Sequence, residues 1–134
     1  MRVFVSHERE NGRWAAAIAD ALEKAGHKPW MAEREILPGQ NWAEEVATAL
    51  NEADAMVVVL SKGWAESWTL RHELEFALGT ERFEGRLILV TVGDPSKIGL
   101  PAAARYLNLV HATQDEVDAA RDVVSALSPT RKAG

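Results

Sequence analysis

Two six-residue segments of the chain, at positions 55–60 and 87–92, are apolar at almost every position. A strand with one solvent-exposed face alternates apolar with polar residues, and neither segment does so. Both are therefore predicted to be strands covered on their two faces, as in a parallel sheet between two layers of helices. This feature places the chain in the α/β class of folds.

The segments between the predicted strands carry the apolar spacing of amphipathic helices. Apolar residues recur along one helical face from Trp14 to Ala25, and Gly26 supplies a cap just beyond. Asn41 can cap a second helix, with Glu44 reaching back to it as in a capping box. The buried stripe of this second helix is predicted to consist of Trp42, Val46, Ala49 and Leu50.

Two further helices are predicted in the C-terminal half of the chain. One covers residues 67–78, and the last begins with Thr113 and Glu116. The residues expected to point inward from these two helices are Leu70, Leu74, Ala77, Leu78, Val117, Val124 and Leu127.

Three shorter strands, at residues 3–5, 27–31 and 106–110, complete a chain in which strand and helix alternate. Parallel pairing through right-handed crossovers covers both faces of the sheet with these helices. We predict a flavodoxin-like, three-layer α/β fold with five parallel strands in the order 2-1-3-4-5. Ligands bind such sheets above the carboxyl ends of the strands where the order reverses, so the loops at residues 6–12 and 61–64 are the informative ones.

The length of the chain limits the number of domains that it can form. A chain of 134 residues, 47% of them hydrophobic, is the size of one domain with one core. We expect that domain at residues 1–128 and a disordered tail at residues 129–134. Residues 33–40 are predicted to be a loop, with Pro38-Gly39 as its turn signal.

Composition excludes several classes of function. The chain has no cysteine, so it has no disulfide, thiolate metal site or thiol nucleophile, which fits a reducing cytoplasm. Its formal net charge of -5 argues against a direct nucleic-acid partner, because that affinity comes from Lys and Arg. No stretch approaches the roughly 18 consecutive apolar residues that span a bilayer, so no membrane partner is expected.

Several catalytic motifs are also missing. The loop at residues 6–12 lacks both glycine-rich phosphate-binding motifs, and the third strand ends without the acidic residue of a phospho-receiver domain. No G-x-S-x-G motif is present and the four histidines fall on different elements, so neither a hydrolase triad nor a metal site is predicted.

A carboxylate beside a cleft remains as the candidate for chemistry. Glu73 and Glu75 flank the apolar stripe of the predicted helix at residues 67–78, where a side chain can point into the crevice. Residues two apart on a helix face different ways, so only one of the two is expected to be a site residue.

Four separated segments of the sequence carry a resemblance to a known family. They are residues 3–7 (VFVSH), 30–42 (WMAEREILPGQNW), 53–61 (ADAMVVVLS) and 67–74, which contains Ser67-Trp68 and His72-Glu73-Leu74. In this order and at these intervals they resemble the TIR (Toll/interleukin-1 receptor) domain of the bacterial type, over nearly the whole chain. His7 stands where the family usually has an aromatic residue, and Ala32 where it often has Asp.

The resemblance implies an enzyme that cleaves the bond between nicotinamide and ribose in NAD, by hydrolysis, cyclisation or transfer. NAD is then a substrate, and no cofactor or metal is expected. Glu73 matches the glutamate that such family enzymes carry on the helix after the third strand, and it is the predicted catalytic residue. Arg9 is expected to approach the diphosphate, since a guanidinium matches phosphate oxygens with two parallel bonds. The residues predicted to contact substrate are Ser6, His7, Arg9, Glu33, Ser61, Trp64 and Trp68.

Three of these residues can each fill one of two roles. Ser61 can bond the cleft or cap the following turn, and capping is favoured. Trp64 and Trp68 can stack on a ring of the substrate, although packing is favoured for Trp68. Trp14, Trp30 and Trp42 are interpreted as core or interface residues.

Residues 33–41 resemble the BB loop of the family, which commonly completes the cleft of a neighbouring subunit. The expected partners are other TIR subunits in a homo-oligomer or filament, together with a separate sensor or effector protein. The predicted contact residues are Arg34, Ile36, Leu37, Pro38 and Gly39. By analogy with similar bacterial domains, the setting is anti-phage defence.

Two alternatives stay open. The same fold can serve as a non-enzymatic adaptor that assembles through residues 33–41. A flavodoxin-like sheet with a carboxylate also suits a nucleoside N-glycosidase or deoxyribosyl transferase.

Overall fold

The structure is a computed structural model and describes residues 1–100, 102, 108–112 and 115–127. One parallel sheet has the strand order β2-β1-β3-β4-β5, which confirms the predicted order and fold class. Its strands are β1 (Arg2–His7), β2 (Lys28–Trp30), β3 (Ala55–Leu60), β4 (Leu87–Val92) and β5 (Asn108–Ala112).

Helices connect the strands and cover the sheet. The α-helices within the described residues are α1 (Gly12–Lys24), α2 (Ala32–Glu35), α3 (Trp42–Glu52), α4 (Trp68–Leu78) and α5 (Glu116–Leu127). The 3-10 turns within the same residues are Arg9–Asn11, Trp64–Glu66, Glu81–Phe83 and Pro95–Lys97.

The sheet separates two apolar layers, and β1 shows how the chain divides between them. Successive strand residues point to opposite faces. Val3 and Val5 pack in the layer that contains α1 and α5. Phe4 packs in the layer that contains α3 and α4. Ser6 continues the alternation of Phe4, so its side chain points toward the α3 and α4 side at the carboxyl end of the strand.

The central strands match their predicted bounds. β3 and β4 cover residues 55–60 and 87–92, and all six residues of β3 are buried. β1 is longer than predicted, because its pairing with β3 continues as far as His7 opposite Val59. β5 begins at Asn108, and the predicted strand residues 106–107 lie outside the described part of the chain.

Two predictions about local structure have different outcomes. The start of α3 is confirmed, since Oδ1 of Asn41 accepts a hydrogen bond from the Glu44 amide at 3.0 Å. The loop predicted at residues 33–40 is partly helical instead. The amides of Arg34 and Glu35 both donate to the carbonyl of Met31, which closes the short helix α2. The Thr113 cap, Pro101 and the tail at 129–134 lie outside the described residues.

Three residues predicted to face the core are exposed, namely Trp42, Leu78 and Val117. Each lies in the first or last turn of its helix. The other two residues predicted to face inward from α5 do pack against the core, Leu127 buried and Val124 partly buried, and Ala119, Ala120 and Val123 pack beside them. Helical spacing defines a face, but it does not show which turns of that face are covered.

Candidate active site

A cleft of about 670 Å³ opens at the carboxyl end of β1. This is the position where the strand order reverses between β1 and β3, as expected for ligand binding in such a sheet. Its volume lies in the ordinary range of small-molecule and cofactor sites. The predicted site residues that line it are Ser6, His7, Arg9, Glu33 and Glu73.

Glu73 reaches the cleft from the second turn of α4. Ser67 caps this helix, since its Oγ accepts a hydrogen bond from the Leu70 amide at 3.2 Å. Leu70 and Leu74 are buried against the sheet and fix the rotation of the helix. Glu73 lies beside that stripe and lines the cleft, whereas Glu75 is exposed, 3.9 Å from Nδ1 of His72. Of the two candidate glutamates, only Glu73 is in the cleft.

The carboxyl group of Glu73 is bonded to the sheet. The hydroxyl of Ser6, which is almost fully buried, donates a hydrogen bond to Oε1 of Glu73. Burial raises the pKa of Glu73 above its ordinary value of 4.5, while the Ser6 hydrogen bond and the nearby His7 oppose that rise. A carboxylate withdrawn from water in this way interacts more strongly with a developing positive charge than an exposed one does.

His7 connects the end of β1 to α2. Its Nδ1 donates to the carbonyl oxygen of Glu8 at 2.7 Å, and its Nε2 is bonded to the carboxylate of Glu33. Both ring nitrogens therefore face oxygen atoms, one on each side of the ring. The pair places Glu33, the first residue of the 33–41 segment, at one wall of the cleft.

Arg9 lines the cleft from the turn after β1 and is exposed. Among the described residues, its guanidinium has no hydrogen-bond or ion-pair partner. A guanidinium in this state is available for two parallel bonds to phosphate oxygens.

Ser61 and Trp64 do not line the cleft. Oγ of Ser61 accepts a hydrogen bond from Nδ2 of Asn11 at 3.0 Å, so the favoured capping role is wrong. This bond joins the turn after β1 to the turn after β3. Trp64 is buried in the α3 and α4 layer, where its indole N–H donates to the carbonyl of Ile98 at 2.9 Å. An indole enclosed in this way cannot stack on a substrate without unpacking the layer.

Trp68 is likewise outside the cleft, but for a different reason. It is the first residue of α4, is 66% exposed, and its ring lies edge-on to that of His72. The favoured packing role is therefore wrong, because most of the residue is exposed rather than packed in the layer beneath the helix.

Several residues that line the cleft were not assigned to the site from the sequence, among them Glu8, Trp42 and Thr69. Trp42 is the first residue of α3 and is 53% exposed, so about half of the residue is accessible to solvent. Its position directly after the 33–41 segment is a sequence signal that could have placed it at the cleft. Glu8 and Thr69 adjoin predicted site residues, but no pattern distinguishes them from other surface residues.

Residues 33–41 present an exposed surface beside the cleft. Leu37 is 63% exposed, Pro38 and Gly39 are exposed, and Ile36 is half-buried. Arg34 is paired with Asp20 of α1 at 3.3 Å. Gly39 has a φ of +91°, a left-handed conformation that disfavours a side chain.

The described residues contain no group of three His, Asp or Glu side chains that could hold a metal ion. Within the same residues, no helix has the length and apolar character needed to cross a bilayer.

Comparison with known proteins agrees with this architecture. Human Toll-like receptor 1 is 26% identical over 112 residues, which is 81% of this chain and 14% of the receptor. A metazoan TIR-STING receptor from C. gigas, solved in complex with 2',3'-cGAMP, has a TM-score of 0.76 and 23% identity over 95% of this chain and 39% of that one. The TIR domains of the activated Roq1 resistosome have a TM-score of 0.60 and 21% identity, over 94% and 82% of the two chains.

These structural likenesses, at identities below 25%, describe the fold alone. The chain spans only a small part of the length of the human receptor that it matches. A human relative does not establish the bacterial type expected from the sequence. The family profile described as TIR domain matches residues 3–124, and the chain belongs to the TIR domain family.

Proposed function

We propose that this TIR domain cleaves the bond between nicotinamide and ribose in NAD, with Glu73 as the catalytic residue. The observation that carries the proposal is the position of the Glu73 carboxyl group: it lines the cleft at the reversal of the strand order and is held there by Ser6. A glutamate that only keeps the protein surface polar stays exposed to water, so it does not need to be buried in this way.

The chemistry of the substrate explains why one carboxylate suffices. Nicotinamide in NAD is a cationic leaving group, so it departs with the electron pair of the C1'–N bond and needs no proton. The ribose carbon left behind has oxocarbenium character, which the Glu73 carboxylate stabilises. Water then adds to this carbon and loses a proton to give ADP-ribose, or an internal nucleophile adds to give a cyclic product.

Other cleft residues are suited to hold the dinucleotide. The free guanidinium of Arg9 is assigned to the diphosphate, and the His7–Glu33 pair to the wall beside the nicotinamide ribose. Trp42, which lines the cleft and is partly exposed, is assigned to stack on an aromatic ring of the substrate. Ser61, Trp64 and Trp68 lie outside the cleft and are given no substrate contact.

We further propose that the domain works as an assembly in a bacterial cytoplasm, in anti-phage defence, with a separate sensor or effector protein. The exposed Leu37 and its neighbours in residues 33–41 lie beside the cleft, so a second copy seated there would enclose the substrate. One of the similar structures contains the TIR domains of an activated resistosome.

The adaptor function remains the second candidate. The observation that favours it is the same apolar surface at residues 33–41, which a scaffold needs whether or not the cleft is used. The adaptor does not explain why a carboxyl group is buried and bonded at the ligand-binding edge of the sheet.

The two functions are separated by incubating purified protein with NAD and measuring nicotinamide release over a range of protein concentrations. We expect release from the wild type and a loss of at least ~100-fold in Glu73→Gln. Glu75→Gln is the matched control, because it removes the same charge from the exposed face of the same helix. Equal activity in Glu73→Gln and the wild type contradicts the catalytic assignment, and no release at any concentration supports the adaptor.

Two further measurements define the reaction. Mass spectrometry of the product separates linear ADP-ribose from a cyclic product. A panel of nucleosides assayed beside NAD tests the nucleoside N-glycosidase alternative, and turnover of nucleosides alone contradicts the proposal.

A further inference from the structure

The carboxylate of Glu8 lies in the wall of the cleft, and no described residue donates a hydrogen bond to its Oε1. Glu8 follows His7 at the end of β1, and its backbone is still extended. Its Oε1 is buried and accepts no hydrogen bond from any described residue. A buried polar atom left unpaired costs free energy, so it calls for an explanation outside the contacts of the folded chain.

The surroundings of Glu8 increase that cost. Burial raises the pKa of Glu8, and the neighbouring carboxylates of Glu10 and Glu66 raise it further. No cation of the described residues is paired with it, although Arg9 is adjacent in sequence. The missing partner of a carboxylate oxygen is a donor, which in a nucleotide is a hydroxyl or an amino group.

The position of Glu8 selects among the donors of the proposed substrate. In extended backbone the Cα of Glu8 lies about 7 Å beyond that of Ser6, since residues are spaced by about 3.3 Å. In the proposed binding mode, Glu73, held by Ser6, faces the nicotinamide ribose and Arg9 binds the diphosphate. Glu8, beside Arg9, is then on the diphosphate side of the reaction centre, where the next group with hydroxyl donors is the adenosine ribose.

We propose that Glu8 accepts hydrogen bonds from the diol of the adenosine ribose, and that it thereby selects NAD against a dinucleotide with a 2'-phosphate on that ribose. This inference rests on the proposed function, because it deepens the use of the same cleft. Carboxylate recognition of a ribose 2'-hydroxyl is the chemistry by which unrelated dinucleotide-binding folds make this choice.

The selection has two physical sources. A 2'-phosphate removes the hydroxyl donor and places about -1.5 to -2 charges in its position. That charge would face the carboxylate of Glu8, with Glu10 also lining the cleft. With the 2'-phosphate in place, the Glu8 carboxylate loses its hydroxyl donor and is also repelled by the phosphate, and both effects oppose binding. The single positive charge of Arg9 does not offset the carboxylates of Glu8 and Glu10.

The test measures binding by calorimetry rather than turnover, so that it does not depend on catalysis. ADP-ribose and 2'-phospho-ADP-ribose, which lack nicotinamide, are titrated into the wild type and Glu8→Gln. We expect the wild type to prefer ADP-ribose by at least about tenfold, and Glu8→Gln to bind ADP-ribose about tenfold more weakly with the preference largely lost.

Two further variants separate contact from charge. Glu66→Gln removes a charge that acts on Glu8 without lining the cleft, and we expect the preference to persist. Glu8→Asp keeps the charge but shortens the side chain, so it should weaken ADP-ribose binding while still excluding the 2'-phosphate. Thermal unfolding shows whether each variant is folded, and Glu8→Gln is expected to be at least as stable as the wild type because a destabilising buried charge is removed.

The outcomes distinguish this inference from the proposed function. An unchanged preference in Glu8→Gln, an equal effect of Glu66→Gln, or no binding of ADP-ribose to the wild type overturns the role of Glu8. The expected binding pattern together with no nicotinamide release from NAD overturns the proposed catalysis and leaves the role of Glu8 as a binding residue.

Discussion

The hydroxyl of Ser6 donates a hydrogen bond to Oε1 of Glu73, which joins the end of β1 to the second turn of α4 inside the cleft. Burial raises the pKa of Glu73, and this hydrogen bond lowers it because it stabilises the ionised form. Ser6 is thus a positioning residue that also keeps the proposed catalytic carboxyl charged.

Removing the hydroxyl should move the pH dependence of the reaction. Glu73 must be ionised to stabilise an oxocarbenium ion, so activity should fall with falling pH through a pKa above the ordinary value of 4.5. In Ser6→Ala we expect the midpoint of this acid limb to lie at higher pH, measured as kcat/KM for NAD between about pH 4 and 8. Thr69→Val, which removes another hydroxyl from the cleft, should leave the midpoint in place; a downward shift in Ser6→Ala contradicts the assignment.

Glu73 should also reduce the stability of the domain at neutral pH. Its pKa is raised by folding, so the stability it contributes is fully present below its unfolded pKa and is lost as the pH rises through its folded pKa. Glu73→Gln, whose amide oxygen can still accept from Ser6, should therefore be more stable than the wild type at pH 7. The difference should shrink as the pH falls toward 4.5, the ordinary value.

Urea unfolding of both proteins across this pH range measures the effect. Glu75→Gln, on the exposed face of α4, provides the control and should show little pH-dependent difference from the wild type. A Glu73→Gln protein that is less stable at pH 7 would show that the carboxylate is held by compensating contacts, against the direction of the pKa shift.

Sequence patterns predicted the elements that burial alone determines. The predicted bounds of β3 and β4 match the observed ones, because an uninterrupted apolar run in an alternating α/β chain is typical of a strand covered on both faces. The cap of α3 at Asn41 followed from local side-chain chemistry. These features depend on residues close together in the chain, so a single sequence contains the necessary information.

The site depends on contacts between distant segments, and there the sequence was less informative. Trp64 is buried and Trp42 is exposed. This difference depends on which neighbouring elements cover each residue, and helical spacing in the sequence does not show that. The unpaired oxygen of Glu8 depends in the same way on how the turn after β1 lies relative to the distant segment that carries Glu66.

The contrast between Trp42 and Trp64 gives a further prediction. Trp42→Ala should leave stability nearly unchanged and raise the KM for NAD about tenfold, the scale of one lost base–aromatic stacking contact. Trp64→Ala should destabilise the fold by about 3–5 kcal/mol, because it empties a buried site and removes the bond to the Ile98 carbonyl. Thermal unfolding and steady-state kinetics on both variants test this, and a large stability loss in Trp42→Ala contradicts the exposed position.

The last prediction concerns assembly. Leu37 is 63% exposed in the segment proposed to contact a second copy, and Val117 is 65% exposed on α5, away from the cleft. Leu37→Glu should leave the monomer folded, because its side chain is not part of either apolar layer. If a second copy seated on this surface encloses the substrate, specific activity should rise with protein concentration in the wild type and stay low and flat in Leu37→Glu.

Val117→Glu is the matched control, since it places the same charge at an equally exposed apolar position. It should keep the concentration dependence of the wild type, and sedimentation should show the same oligomer. If both variants lose the dependence, a general charge effect or a second contact surface is responsible. If neither does, residues 33–41 do not form the contact, and the copies that enclose the substrate and withdraw Glu73 from water must meet through another surface.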